Sequence, residues 1–481
     1  DLDNIRNYLE SSFIQTADID LGVAPWNVGE GWEPIGDYDW TDPTKSFRGN
    51  YDGDGYEIAN MYINRPSESS TGVFGSSDGV FFQKMNVLNF DITSGSLIGG
   101  VVGISYNDSI SNCIATGIID GTSVLGLLAG FFEGYDIKDC HVGGEIISQS
   151  GYVGGGVGRC NADTLMNCSA TVNITSEGII VGGLFGDLVD TNYIERCYAV
   201  SDINSTSSFV GGLIGGITIC DTLYINKCFS KGSIITESDK IGGLISGASF
   251  RLDLNQFFNL NNCFSNCDVK GNDIVGGLIG KLTEATTITN CYSNGVVEGI
   301  TNIGGLIGVI DSLNSVNITN SYWDTETSSL LTTAGNLGEG RTTVEMTDPH
   351  AGNTYIGWDF TGIWVEDDEF HNDGYPYLSW HDTGIIEVEE LIMENYELFQ
   401  NYPNPFNNQT KIEYALQDMN KVDISIYNSN GQFVKSLVNK KMNKGKHSVL
   451  FDADNLNSGI YYYQLKIDGV MKETKKMLYL R

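Results

Sequence analysis

Seven cysteines recur on an almost even beat, at Cys113, Cys140, Cys168, Cys197, Cys228, Cys263 and Cys291, with Ser321 in the eighth place. Thiols on such a beat could cross-link, bind zinc or fill a core. Side chains one repeat apart would point in parallel, which disfavours the disulfide dihedral. The expectation is therefore a column of buried free thiols acting as small hydrophobes. Cys160, Cys220 and Cys267 fall off the beat. Cys160 with Cys168, and Cys220 with Cys228, flank loops at the same spacing of eight, and these two pairs are the disulfide candidates. The sequence has no CxxC pair and its five His lack metal-ligand spacing, so no metal site is expected.

A second series is acidic. Asp108, Asp136, Asp163, Asp190, Asp221, Asp253, Glu284 and Asp311 each lie in the variable stretch before a cysteine position. Carboxylates stacked this way could hold calcium or serve as the paired acids of glycan hydrolysis. They would equally suit solvated turns. Asp190, Asp221, Glu284 and Asp311 are the binding candidates among them.

The residue after each cysteine makes a third series: Ile114, His141, Ser169, Tyr198, Phe229, Phe264, Tyr292 and Tyr322. Its five consecutive aromatics would stack sugars if they faced solvent, or form a core ladder if they faced inward. The stretch from Ala248 to Asn262 is longer than its counterparts, and its Phe250, Phe257 and Phe258 are candidates for contact with a glycan or protein ligand. Enzyme signatures are lacking: GGLIGKLT at 276–283 misses the phosphate-loop spacing, and no G-x-S-x-G occurs. DGDG at 52–55 lacks the remainder of a calcium loop and reads as a turn.

What must position these series is a repeat of about 28 residues. Glycine-rich strings ending at Gly103, Gly130, Gly158, Gly186, Gly215, Gly247, Gly280 and Gly308 keep the beat of the cysteines. An aliphatic residue stands three before each cysteine position, from Ile110 to Ile318, and another six after each cysteine, from Ile119 to Val297. Short Ile- and Val-rich runs broken by Gly, Asn, Asp and Ser are strands, and no window has sustained helical periodicity. One unit cannot bury its apolar side alone, whereas stacked units can. The chain is thus expected to be all-β, a parallel β-solenoid of about eight to nine coils followed by a small Ig-like β-sandwich. Paired glycines would allow positive φ and close backbone approach at a corner.

The pattern GGLIG, then I-x-N-C-Y/F-S-x-G and V-x-G, resembles the GLUG repeat of bacterial surface and adhesin-like β-helix proteins. Near the other end, YPNPF at 402–406, the N-x-x-G-x-x-V turn at 428–434, SGIYYY at 458–463 and a Lys-rich end are similar to the C-terminal sorting domain of the type IX secretion system. That resemblance implies export across the outer membrane, a contact with the secretion machinery, and a secreted or outer-cell-surface location.

The expected divisions are an N-terminal cap over 1–70 that begins with a short helix at Leu2–Leu9, the repeat body over 71–325, and an aromatic-rich cap over 326–380. A linker over 381–394 and the sorting sandwich over 395–481 follow. The aromatics Trp323, Trp358, Trp364, Tyr375, Tyr377 and Trp380 are expected to plug the end of the solenoid.

Charge agrees with two modules. Of 481 residues, 18% are charged and the net charge is −34, which disfavours a nucleic-acid partner or an anionic membrane surface. From Asn401 onward there are 12 Lys and Arg against 7 Asp and Glu, a net of +5 that leaves −39 to residues 1–400. No apolar run is long enough to span a bilayer. The sequence starts at Asp1 without a Met, as expected of a removed signal or of a piece of a longer chain. The functional expectation is an adhesin or structural surface protein without a cofactor, calcium aside. A β-helix polysaccharide-degrading enzyme and a structural spacer are the alternatives.

Overall fold

The computed structural model describes residues 2–218, 222–249, 257–283, 286–367, 371–381 and 397–480, apart from 402, 408, 417–419, 430, 443–444, 454–455, 457 and 468. Two compact units divide the chain, Asp1–Ile385 and Ile386–Arg481. Strand makes up about 58% of the structure and helix 4%, and the first unit is a parallel β-solenoid of about nine turns.

Each coil contributes a strand to two parallel ladders. In one, Ile114, His141, Ser169, Tyr198, Phe229, Phe264, Tyr292 and Tyr322 are successive partners, the register expected from the repeat. In the other, Ile110, Ile137, Leu165, Ile194, Ile225, Leu260, Ile288 and Ile318 are partners. Between the ladders lies one continuous apolar core that takes in these aliphatics and those six after each cysteine. The ladders begin within residues 1–70, where Phe13 pairs with Tyr51 and Tyr51 with Phe82. A 3-10 helix, Leu2–Asn7, closes that end with buried Leu2 and Ile5.

The coil is thin, and the paired glycines set its thickness. A Cβ on Gly183 would lie 2.0 Å from the Gly212 carbonyl oxygen and 2.9 Å from Ala199 Cβ; one on Gly212 would lie 2.0 Å from the Gly243 oxygen and 3.0 Å from Ser230 Cβ. Opposite these glycines the second residue after each cysteine position is small, running Ala170, Ala199, Ser230, Ser265 and Ser293. Close approach therefore explains the glycine pairs, and the positive φ also expected of them is absent from Gly182, Gly183, Gly211 and Gly212. Left-handed backbone sits instead at the residue before each cysteine: Asn112, Asp139, Asn167, Arg196, Lys227, Asn262, Asn290 and Asn320 have φ of 49° to 55°. Asn enters that region most readily among residues with a Cβ, which accounts for the N-C step of the repeat.

In the last coil Trp323 takes the small-residue position, and a Cβ on Gly305 would fall 2.0 Å from its ring. Trp323 packs with Leu330 and Ala334 to seal the core, its indole N–H donating to the Leu330 carbonyl at 2.9 Å.

The second unit has a three-stranded and a four-stranded antiparallel sheet. Ile412, Tyr414, Ile424, Tyr463, Leu465 and Met477 form its core. The YPNPF entry segment is tied to this sandwich. Tyr463 Oη accepts from Asn401 N–H at 2.8 Å and donates to the Phe399 carbonyl at 2.7 Å, while Phe406 packs on Tyr479 with ring centroids 5.2 Å apart.

Candidate functional site

The cysteine column is an internal hydrogen-bonding device. Each thiol donates to the carbonyl two residues earlier, as Cys140 does to Lys138 at 3.2 Å and Cys263 to Asn261 at 3.1 Å. Sulfur also accepts across coils: Cys197 N–H reaches Cys228 Sγ at 3.4 Å. Ser321 performs both tasks at the column's end, donating to Thr319 and accepting from Cys291 N–H. Burial pushes the thiols of Cys140, Cys197 and Cys263 well up, so they stay protonated. The expected Cys160–Cys168 bridge is not formed. Cys168 stays in the column at the corner, while Cys160 lies back along the strand Val157–Met166, paired between Phe132 and Leu188 of the neighbouring coils. Cys228 is likewise a free thiol, and its candidate partner Cys220 lies outside the described residues.

The aromatic series turns its rings away from the solenoid core, yet it is buried. Tyr198, Phe229, Phe264 and Tyr292 stack with centroids 4.9, 4.8 and 5.0 Å apart and interplanar angles of 7°, 1° and 1°. What covers them is the segment expected to plug the end. Residues 346–367 and 371–380 lie along the outside, so that Trp380 lies over Tyr198 and Phe229, Trp364 over Phe264 and Tyr292, and Trp358 over Tyr292 and Tyr322. Polar pins fix this strap: Tyr292 Oη donates to the Pro376 carbonyl at 2.8 Å, Tyr375 Oη to Asp324 at 2.6 Å, and Trp358 Nε1 to the Asn320 carbonyl at 3.0 Å. The Asp367 carboxylate gathers the N–H groups of His371, Asn372 and Gly374 and turns the strap at its far side. Neither sugar platform nor inward ladder, the aromatic series is a second core built outside the coil.

The acidic series does not converge on one point among the described residues. Asp108 is fully buried and accepts from Ser105, Ser77 and Val80 N–H, and burial pushes its carboxyl up to about 6. Asp136 pairs with Lys138 and Asp311 with Lys281, each at 3.0 Å. Asp163 and Asp190 are exposed, Asp190 at a left-handed turn. Asp221, Asp253 and Glu284 lie outside the described residues, as does Phe250. Phe257 and Phe258 are adjacent on one strand and part company, Phe257 being 55% exposed and Phe258 buried in the core.

Sequence reasoning missed Asp187. It follows the VGGLFG string, and burial raises its carboxyl to about 6 despite Arg159 at 3.2 Å and a 2.8 Å hydrogen bond from Thr218. Arg159 in turn lies over the Tyr152 ring at 5.3 Å. Position 187 is occupied by Arg159 and Gly216 in the adjacent coils, so the repeat gave no signal for it.

Comparison with known proteins places two families on the chain. Residues 400–479 match the secretion system C-terminal sorting domain, and residues 94–120 match the GLUG motif. The chain is 36% identical over 137 residues to Halomucin of Haloquadratum walsbyi, which is 27% of this chain and 2% of that protein. It is 34% identical over 133 residues to a putative Gly-rich membrane protein of Evansella cellulosilytica, covering 26% of this chain and 13% of the other. The chain thus spans a small part of each relative. It carries GLUG-type repeats and a type IX sorting domain, which directs export to the cell surface or extracellular space through the secretion machinery. Among the described residues no helix is long and apolar enough to cross a membrane.

Proposed function

We propose that the chain acts as an adhesin at the cell surface, delivered by its sorting domain and making contacts through the outer faces of the solenoid. In this reading residues 71–325 are the repeat body, 1–70 and 326–380 its terminal elements, 381–394 a linker and 395–481 the export module. The observation that carries the reading is repetition on an exported rod. Outward positions recur coil after coil on a hydrogen-bonded lattice, which suits many weak contacts along a surface. Asp190, Asp311 and Phe257 are contact residues in this view.

Cells of a bacterium with the matching secretion system, displaying the full chain, should attach to extracellular polymer better than cells lacking it. Deleting 395–481 should hold the solenoid in the periplasm and remove the gain. Attachment equal to that of non-displaying cells would contradict the reading in favour of a structural spacer.

The alternative is a β-helix polysaccharide-degrading enzyme that uses the acidic residues of the loops, among which Asp163 and Asp190 are exposed. Release of reducing ends or unsaturated products from glycans would establish it. The adhesin reading expects none.

A further inference from the structure

We propose that the strap over the aromatic column is a latch, peeled off by tension on the C-terminal end of the chain so that Tyr198, Phe229, Phe264 and Tyr292 are uncovered while the coils stay folded. The proposal rests on the adhesin reading, in which an attached cell puts the chain under load. Its first support is the path of the chain. The last strand to join either ladder, Glu339–Arg341, pairs with Tyr322–Asp324, and beyond it the strap pairs only with itself among the described residues, Trp364 and Val365 against Leu378 and Tyr377. Followed back from its end, its contacts come in series: Trp380 and His381 on Tyr198 and Phe229, Pro376 and Asn372 on Tyr292, Trp364 on Phe264, and Trp358 on Tyr322. His381 leads on along the chain to the sorting unit, so a pull from that side reaches Trp380 first and the coils last.

The second support is the separation of two cores. The apolar cluster under the strap shares no residue with the core between the ladders, so removing the strap leaves that core whole. The coils are also held differently. Strands such as Ser169–Ser176 and Tyr198–Ser205 pair along their whole length with a strand on either side, and those bonds must yield together. The strap's contacts are loaded one after another, and a segment held in this way opens locally well before the whole unfolds. With the ladder intact the rings stay in register, so the strap keeps a seat to return to. Release frees residues 346–381, about 36 residues and roughly 120 Å of contour length at ~3.4 Å each.

The test is optical-tweezers stretching of the full chain with handles placed at Asp163, exposed in the repeat body, and at Glu394, beyond the strap. A reversible step of roughly 120 Å in contour length should precede rupture of the coils. Handles at Asp163 and Leu331, which is 84% exposed and lies ahead of the strap, leave the strap out of the load path and should remove the step. Trp364→Ala should lower the force of the step without changing its length. Tyr375→Phe, which keeps the ring and loses the hydrogen bond to Asp324, should lower it less. No step before coil rupture, the same step with both pairs of handles, or a force that neither variant moves would overturn the latch. Stretching needs no ligand, so a missing step sinks the latch alone, whereas failed attachment beside an intact step sinks the adhesin reading alone.

Discussion

The solenoid bears two groups of aromatic rings, alike in residue type and different in surroundings. Tyr198, Phe229, Phe264, Tyr292 and Tyr322 lie under a returning strap that contributes Trp358, Trp364 and Tyr375. Tyr38, from the N-terminal loops, stacks on Tyr106, which in turn meets Phe131; Tyr38 is 43% exposed and the other two rings are half-buried. The covered stack shows how a chain of this kind acquires a second core: rings placed in register by the ladder offer a flat apolar strip, and a segment with no repeat of its own seals it. Upstream on the same column the positions are Ile114, His141 and Ser169, with His141 Nδ1 2.8 Å from Ser169 Oγ. An aromatic ladder in a solenoid therefore marks a ligand surface only where nothing in the chain already occupies it.

Two tryptophans break or sharpen the contrast most strongly. Trp364 is 1% exposed against Phe264 and Tyr292. Trp364→Ala should cost about 3–5 kcal/mol in thermal or denaturant unfolding of the first unit, whereas Trp40→Ala should stay within about 0.5 kcal/mol. Equal losses would erase the distinction between covered and exposed rings.

Next in size is the pH response of the buried acid two residues from Tyr106. The Asp108 carboxyl is raised from 3.8 to about 6 by burial, so between those values the folded state holds the extra proton. Stability should fall as pH rises from about 4 to 6 and level off above, by up to about 3 kcal/mol from this group. Asp108→Asn should flatten that slope, and Asp187, raised likewise, should leave a residual one.

The corner beneath the covered stack comes third. Asn290, at φ 54°, sets up Tyr292 two residues on, so Asn290→Val should lose about 1–2 kcal/mol while Asn290→Gly stays near neutral. The smallest effect is a gain: Arg196 holds the same conformation without Asn's tolerance for it, and Arg196→Asn should add about 0.5–1 kcal/mol.

The sequence made the solenoid legible because every coil repeats the same demands. Aliphatics three before and six after each cysteine, and the column after it, gave ladder and register together. The strap was not legible as a strap: Tyr292 and Pro376 meet across 84 residues, and a contact made once leaves no periodic trace. Its aromatics were therefore assigned to the end of the rod, where only Trp323 is found. The N-C step was visible as a pattern, but the left-handed corner behind it needs dihedral angles. The acids misled in a different way. They share a place in the repeat, yet loops of unequal length send Asp108 inward and Asp163 outward. Asp187 escaped notice because its environment, shaped by Arg159 and Thr218, is unique to one coil. Cys160 and Cys168 do not bridge because one extended strand, Val157–Met166, runs from Cys160 almost to Cys168 and holds the two thiols apart at about 3.3 Å per residue.

Oxidative footprinting of the full chain in its native state tests the contrast between covered and exposed rings most directly, since hydroxyl radicals modify aromatic rings according to their exposure. Trp40 and Tyr38 should be modified rapidly, while Phe229, Phe264, Tyr292 and Trp364 stay protected until the protein unfolds. Rapid native-state oxidation of Phe264, Tyr292 and Trp364, at rates matching Trp40, would contradict the account.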